Sequence, residues 1–313
     1  MFCFKKLTTS KNSNNKNNSF TSSLIYKLIL ISCFSLPVLA FGNNDEFNLS
    51  LSPSIAKNDF EWQITVDYSL AYQPVLLESV EQSSFYDFIK LGLYLDLSYQ
   101  GFFLQTNQRR ASSPIKSIDF GYQLTVQEKW QLDLIIKAYL YGFKSKTLIN
   151  QSSADQNLFY GLKERDATVG VALRYSHFFN NAILSIDLAK TNFGYDRYGD
   201  NVTGLIIDSF YSYLLPYRNW DIYLGAGLTY YEDNIINYYY GIEADETNKL
   251  RPEFTADSAL RAQFEVYALY PLSASWSFHA GITQNIYSPN IKDSPIVDKN
   301  VITQVTAGVQ YVF

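Results

Sequence analysis

Cysteine is almost missing: Cys3 and Cys33 are the two in 313 residues, and both fall within the first 40. If that stretch is a removed leader, the rest of the chain has no disulfide framework, no thiolate nucleophile and no cysteine zinc site. Histidine is as scarce, with His177 and His279 alone, which leaves little for acid–base chemistry. Positive charge is also short. Lys and Arg number 25 against 30 Asp and Glu, and without the leader's five lysines the net charge moves from −5 to −10. Such a chain lacks the clustered cations that phosphate contacts require, so nucleic acid is not an expected partner. Long apolar runs are absent too. The strongest, LILISCFSLPVLA, has thirteen residues, where a helix needs roughly 20 to cross a bilayer.

What the N-terminus does have is order. MFCFKKLTTSKNSNNKNNSFTSSLIYK carries the five lysines and no acid ahead of that run, which exits through Val38, Leu39 and Ala40 before Phe41. A basic region, a short apolar region and a small-residue exit make a secretory signal, so residues 1–40 are expected to be a cleaved signal peptide and 41–59 a short periplasmic segment. A second reading takes Leu30-Ile31-Ser32-Cys33 as a lipoprotein box with Cys33 lipidated.

Aromatic residues are abundant, with 26 Tyr and 22 Phe, while the mean hydropathy is only −0.12. Their spacing decides the fold class. In SIDFGYQLTVQ, Ile118, Phe120, Tyr122, Leu124 and Val126 alternate with Asp119, Gly121, Gln123, Thr125 and Gln127. WQLDLIIKAYLY repeats the period, as do seven further stretches, and a period of two is the mark of strands. About twelve strands are expected, with ten to fourteen possible, near 60–73, 88–99, 101–107, 117–127, 130–142, 166–176, 183–191, 203–214, 221–231, 258–269, 276–286 and 303–313. The connections between them run long, short, long, short, so one end of the sheet has tight turns and the other has loops.

One face of these strands is apolar and aromatic-tipped. The other collects Lys90, Asp96, Asp119, Asp133, Lys137, Arg174, Asp187, Arg261 and Glu265 in mid-strand. Strands of about ten residues with a lipid-facing apolar row, a polar interior and even strand number describe an all-β, closed antiparallel transmembrane barrel over residues 60–313. The C-terminus agrees. Val305, Ala307, Val309, Tyr311 and Phe313 form one apolar row in the last strand, which must close onto the first because an open edge is not tolerated in hydrocarbon. The terminal phenylalanine with alternate apolar residues before it also resembles the C-terminal signal that the assembly machinery of outer-membrane barrels reads, so Val309, Tyr311 and Phe313 are the expected assembly signal.

Few residues suggest chemistry. His177 is expected in a periplasmic turn, and His279 in the lumen as a hydrogen-bonded structural residue, so neither supplies a protease or lipase site, and no metal or cofactor site is expected. The lumen charges are read as cross-strand pairs that fill the interior, against the alternative of a conducting lining. The tyrosines of YYEDNIINYYYGIEADETNKLRPEF are expected in the interfacial belt at the membrane edge. Candidate partner contacts lie in the short turns, around His177 to Asn181 and Pro216 to Asn219.

Several stretches also resemble a known family. FYGLKERDATVGVALRY, LSIDLAKTNFGYD, NYYYGIEADE, YPLSASWSFHAGITQNIYSPNIKDSPIV and AGVQYVF occur in the order found in the MipA/OmpV family, the MltA-interacting outer-membrane proteins. The most specific pieces are Tyr239-Tyr240-Gly241 and Asp293-Ser294-Pro295-Ile296-Val297. The resemblance implies an outer-membrane barrel without catalytic residues, set in outer-membrane lipid. It also implies a scaffold that joins a murein hydrolase, a lytic transglycosylase, to a penicillin-binding protein. A small-solute channel and a surface adhesion barrel remain as alternatives.

Overall fold

The computed structural model describes residues 60–77, 80, 85–106, 118–151, 156–193 and 202–313. The expected signal peptide, the lipoprotein alternative at Cys33 and the segment 41–59 lie outside them.

Alternation produces twelve strands: β1 (Glu61–Tyr72), β2 (Ile89–Tyr99), β3 (Phe102–Thr106), β4 (Ile118–Val126), β5 (Trp130–Leu140), β6 (Thr168–Phe178), β7 (Ala182–Phe193), β8 (Gly204–Tyr217), β9 (Trp220–Tyr231), β10 (Ala259–Pro271), β11 (Trp276–Tyr287) and β12 (Val301–Val312). Each pairs with its chain neighbours, and β1 pairs with β12, so the sheet is one closed antiparallel barrel. The seam runs from Thr65 opposite Val312 to Tyr72 opposite Val305. One bond beyond it, the Phe313 N–H donates to the Ile64 carbonyl at 2.9 Å. The terminal residue is thus the last stitch of the closure, and its ring packs on Tyr311 with centroids 4.7 Å apart.

The two faces of the wall divide by polarity as the alternation requires. Outward positions such as Leu91, Leu93, Phe120, Leu134, Leu188, Leu228, Phe264 and Ile282 are exposed apolar side chains, suited to lipid. Aromatics gather outside the turn end, where Trp130, Tyr175, His177 and Phe179 stack in series and Trp220 meets Tyr270. This is the interfacial girdle.

Inside, cross-strand register sorts the lumen into rows. A charged row runs Asp133, Arg174, Asp187, Asp208, Thr229, Arg261, each opposite the next on consecutive strands from β5 to β10. One step nearer the loop end lies an apolar row: Phe103, Gly121, Ile135, Ala172, Ala189, Ile206, Tyr231, Ala259. Every large side chain in it is buried. On β4 to β10 the interior is packed in layers, like a protein core. Gly121 belongs to this packing, because the far end of the Phe103 ring stands where a Cβ at Gly121 would be.

Two turns are tighter than the sequence suggests. β6 continues to Phe178 and β8 to Tyr217, leaving Phe179 to Asn181 and Arg218-Asn219 as the connections. His177 and Pro216, expected in turns, therefore sit in strands. His177 faces outward into the girdle, with its Nδ1 2.9 Å from the Tyr175 hydroxyl. Pro216 lies opposite Asp221 near the strand end, at the rim of the barrel where a missing N–H costs least.

Replacing Phe313 by Asp, or deleting it, is expected to abolish most of the folded, heat-modifiable band on unboiled gels, whereas Gln310→Ala, on the buried lumen row, should retain it. Equal folded fractions would place the register of β12 off by one residue. Gly121→Val is expected to lose about 1–3 kcal/mol in urea unfolding through overpacking. Gly121→Val with Phe103→Ala should recover part of that loss, and strictly additive effects would show that the ring does not occupy the glycine's space.

Candidate functional site

The charged row becomes a bonded network through the lengths of its side chains. Arg174 on β6 reaches Asp119 on β4 at 2.8 Å and Asp187 on β7 at 2.8 Å. Lys137 on β5 bridges Asp187 and, at 3.3 Å, Asp208 on β8. The Thr229 hydroxyl donates to Asp208 at 2.7 Å and accepts from Arg261 at 2.9 Å. Gln131 donates to Asp133 at 2.7 Å. Five side chains of the chain Asp119, Arg174, Asp187, Lys137, Asp208 are buried, so each charge depends on its partners, since an unpaired ion in that setting is strongly destabilising. Across the lumen His279 binds Asp67 through Nε2, and Ser69 donates to the same carboxylate at 2.8 Å.

The loop end carries a second construction. The long connections fold together over the mouth into a cap with its own core: Leu76, Leu77 and Val80; Leu148, Leu158, Phe159 and Leu162; Ile235, Ile236, Tyr239, Ile242 and Ala256; Ile291, Ile296 and Val297. That core is continuous with the apolar lumen row. The helix Asp233–Tyr240 supplies its centre, with Ile235, Ile236 and Tyr239 on the buried side, a spacing that repeats about once per turn. The Tyr239 hydroxyl donates to the Asp166 carbonyl and lies 2.7 Å from the Thr168 hydroxyl, while the Tyr238 hydroxyl accepts the Asp166 N–H at 2.7 Å. Of the tyrosines expected in the membrane belt, Tyr230 and Tyr231 are in β9, with Tyr231 in the lumen row, and Tyr238 to Tyr240 are cap residues. The reason is the helix, which carries the last three over the mouth, with Tyr239 on its buried side and Tyr238 and Tyr240 packed partly buried against the same core.

The family stretches meet here. The Ser294 hydroxyl donates to the Tyr240 carbonyl at 2.6 Å. Val297 bridges to Leu77, and the Asp298 N–H donates to the Leu76 carbonyl at 3.1 Å. Ile296 is fully buried, whereas Asp293 stays exposed and Pro295 half-buried. Gly241 ends the helix with its N–H on the Asn237 carbonyl, and a Cβ there would strike that same peptide. Tyr239, Tyr240, Gly241 and Ser294 to Val297 are therefore joints of the cap. The other expected positions lie apart from them. Val309, Tyr311 and Phe313 lie on the outward row of the closing strand, and Asn181 and Asn219 are exposed at the turn end.

Two charged residues of the cap, Arg165 and Arg251, are not singled out by the sequence pattern. Arg165 makes a two-pronged contact with Glu246, at 2.9 and 2.8 Å, with both side chains buried. Arg251 is fully buried and donates to the carbonyls of Glu246, Leu158 and Tyr160. Only E-T-N-K-L-R between Glu246 and Arg251 hints at a local turn; the partners are 81 and more than 90 residues away, beyond any periodicity. Nearby, the Glu243 and Asp245 carboxylates hold Lys163 above the ordinary lysine range. These acids thus serve an ion pair, and among the described residues no cluster of three His, Cys, Asp or Glu is placed to hold a metal.

Burial acts first on Glu246 and alone would raise its carboxyl. The Arg165 hydrogen bonds and charge, with the N–H groups of Lys163 and Glu243, outweigh it and leave the group below its ordinary value. A depressed carboxyl stabilises the fold above its unfolded value of about 4.3, and that contribution is lost as pH falls through the folded value. Amide protection in 243–254 should accordingly persist from pH 8 to about pH 5 and fall in stronger acid. Glu246→Gln is expected to weaken the same amides already at pH 7. A variant with unchanged protection would show that Arg165 does not anchor the loop.

The chain is similar to known proteins in sequence and, more distantly, in structure. Two relatives named MltA-interacting protein, from Escherichia coli strain K12 and from Shigella flexneri, are each 28% identical over 185 residues, spanning 58% of this chain and 69% of theirs. Among solved structures, the outer-membrane-expressed OmpT of Vibrio cholerae superposes with a TM-score of 0.36 at 10% identity, over 83% of this chain and 100% of that one. An outer membrane channel from Pseudomonas putida F1 gives 0.39 at 11%, over 87% and 100%. Residues 71–313 match the family described as MltA-interacting protein MipA, and the chain belongs to that family.

Proposed function

We propose that this outer-membrane barrel is a non-enzymatic scaffold, holding a lytic transglycosylase and a penicillin-binding protein of the cell wall against the membrane. The observation that carries the reading is the filled interior. The charge network and the apolar row occupy the β4 to β10 side of the lumen, and the cap core continues them over the mouth. A body packed in this way offers surfaces rather than a path or a reactive pocket. Both histidines are committed, one to Asp67 inside and one to the aromatic girdle outside, and neither lies beside a nucleophile in the described contacts.

The name shared by the two relatives supplies the partner class: MltA-interacting protein. In barrels of this kind the short turns face the periplasm, so enzymes acting on murein meet the turn end. Asn181 and Arg218-Asn219 are exposed there and project beyond the girdle. The channel alternative draws on one feature. Gln63 and Asp96, on lumen rows near the turn end, remain exposed, so the interior is not dry throughout.

Purified protein in a planar bilayer is expected to give little steady conductance, and Asp187→Asn, which strips Lys137 and Arg174 of their shared anion, should lower the unfolding midpoint before it opens any current. Photo-crosslinkers placed at Asn181 and Asn219 in intact cells should capture a lytic transglycosylase or a penicillin-binding protein, whereas the same label at Glu253 in the cap should capture neither. A stable conductance that Asp187→Asn or Arg174→Ala retunes in ion preference, with no cell-wall enzyme captured at either turn, would replace the scaffold with a channel.

A further inference from the structure

The outward face of the barrel makes one exception to its apolar composition. Among the described strand residues, Lys190 on β7 is the one outward-facing side chain that carries a formal charge. Alternation fixes its direction: Asp187, Ala189 and Thr191 are buried in the lumen, while Ile186, Leu188 and Lys190 are exposed on the other side. Its cross-strand neighbours are Val171 on β6 and Leu205 on β8, both apolar. No described residue forms an ion pair with it. It stands three residues before the loop end of β7, or about 10 Å of strand, and a lysine stem adds further reach in that direction.

An unpaired ammonium on a lipid face is unfavourable in the hydrocarbon and tolerated near the headgroups, where it finds anions.

We propose that Lys190, the outward charge at the loop end of an otherwise apolar wall, is a docking site for the phosphate headgroup of an outer-leaflet lipid, the lipid A type that carries phosphate on a sugar. The acyl chains lie along Val171, Leu173, Leu188 and Leu205, and the phosphate meets the Lys190 ammonium near the rim. The inference rests on the reading that the loop end faces the outer leaflet, but not on any cell-wall partner. Lipid binding and enzyme capture are separate measurements, and either can fail alone.

The test is retention of lipid A by the folded barrel in detergent, read by native mass spectrometry. Wild-type protein is expected to keep lipid A and to keep far less of its dephosphorylated form, which has the same chains. Lys190→Gln should lower lipid A retention about fivefold, the size of one surface lysine's attraction, while Lys190→Arg restores most of it. Both variants should remain heat-modifiable, since the position is at the surface. Millimolar inorganic phosphate should not displace the lipid, because the chains contribute to the binding. Equal retention of lipid A and its dephosphorylated form by wild type, or equal retention by wild type and Lys190→Gln, would overturn the proposal. Displacement by free phosphate would overturn the lipid assignment in favour of a simple anion site.

Discussion

Every backbone polar group of a chain in hydrocarbon needs a partner within the protein, and the rest of this structure depends on that constraint. It requires the sheet to close, so β12 must find β1, and it makes the last residue structural: Phe313 contributes an N–H to the seam and a ring to the girdle. Closure then sets register. Once Thr65 faces Val312, every lumen position on the remaining strands follows, and a slip of one residue would send Asp187 and Arg174 into lipid. The ion network is therefore as much a register device as a source of stability, since its charges are satisfied in one alignment of seven strands and in no neighbouring one.

Filling the barrel follows from its size. Twelve strands enclose more space than a single layer of side chains fills, and the chain answers with two materials. Salt bridges occupy the middle of the lumen, and an apolar row beside them passes directly into the cap. The second material is unusual for a barrel interior, and it explains why the long connections are ordered against one another: they complete a core that begins inside the wall. Interior and cap form one packed unit on that side of the barrel.

Much of this was legible in the sequence. Period-two alternation located all twelve strands, because each strand reports its own two environments residue by residue, and the polar row named most of the lumen ions before any pairing was known. The cap was not legible. Tyr239 reads as a belt tyrosine until a helix places it over the mouth, and nothing local tells Glu246 that Arg165 lies beside it or Arg251 that the Leu158 carbonyl does. Those contacts depend on complementarity between loops far apart in the chain. The turns failed for a smaller reason: His177 and Pro216 look like turn residues by type, yet paired partners across the strand carry the ladder past them.

The clip between Ser294 and the Tyr240 carbonyl ties the last long loop to the one before it, and both must reach loops from the first half of the chain to complete the core. The Leu77 to Val297 bridge and the Asp298 N–H on the Leu76 carbonyl carry the same stitching across the seam between β1 and β12. Cap and wall are thereby coupled at their junction: the contacts that cover Leu77 and Val297 exist where β12 lies beside β1, so parting the seam would also part the cap above it.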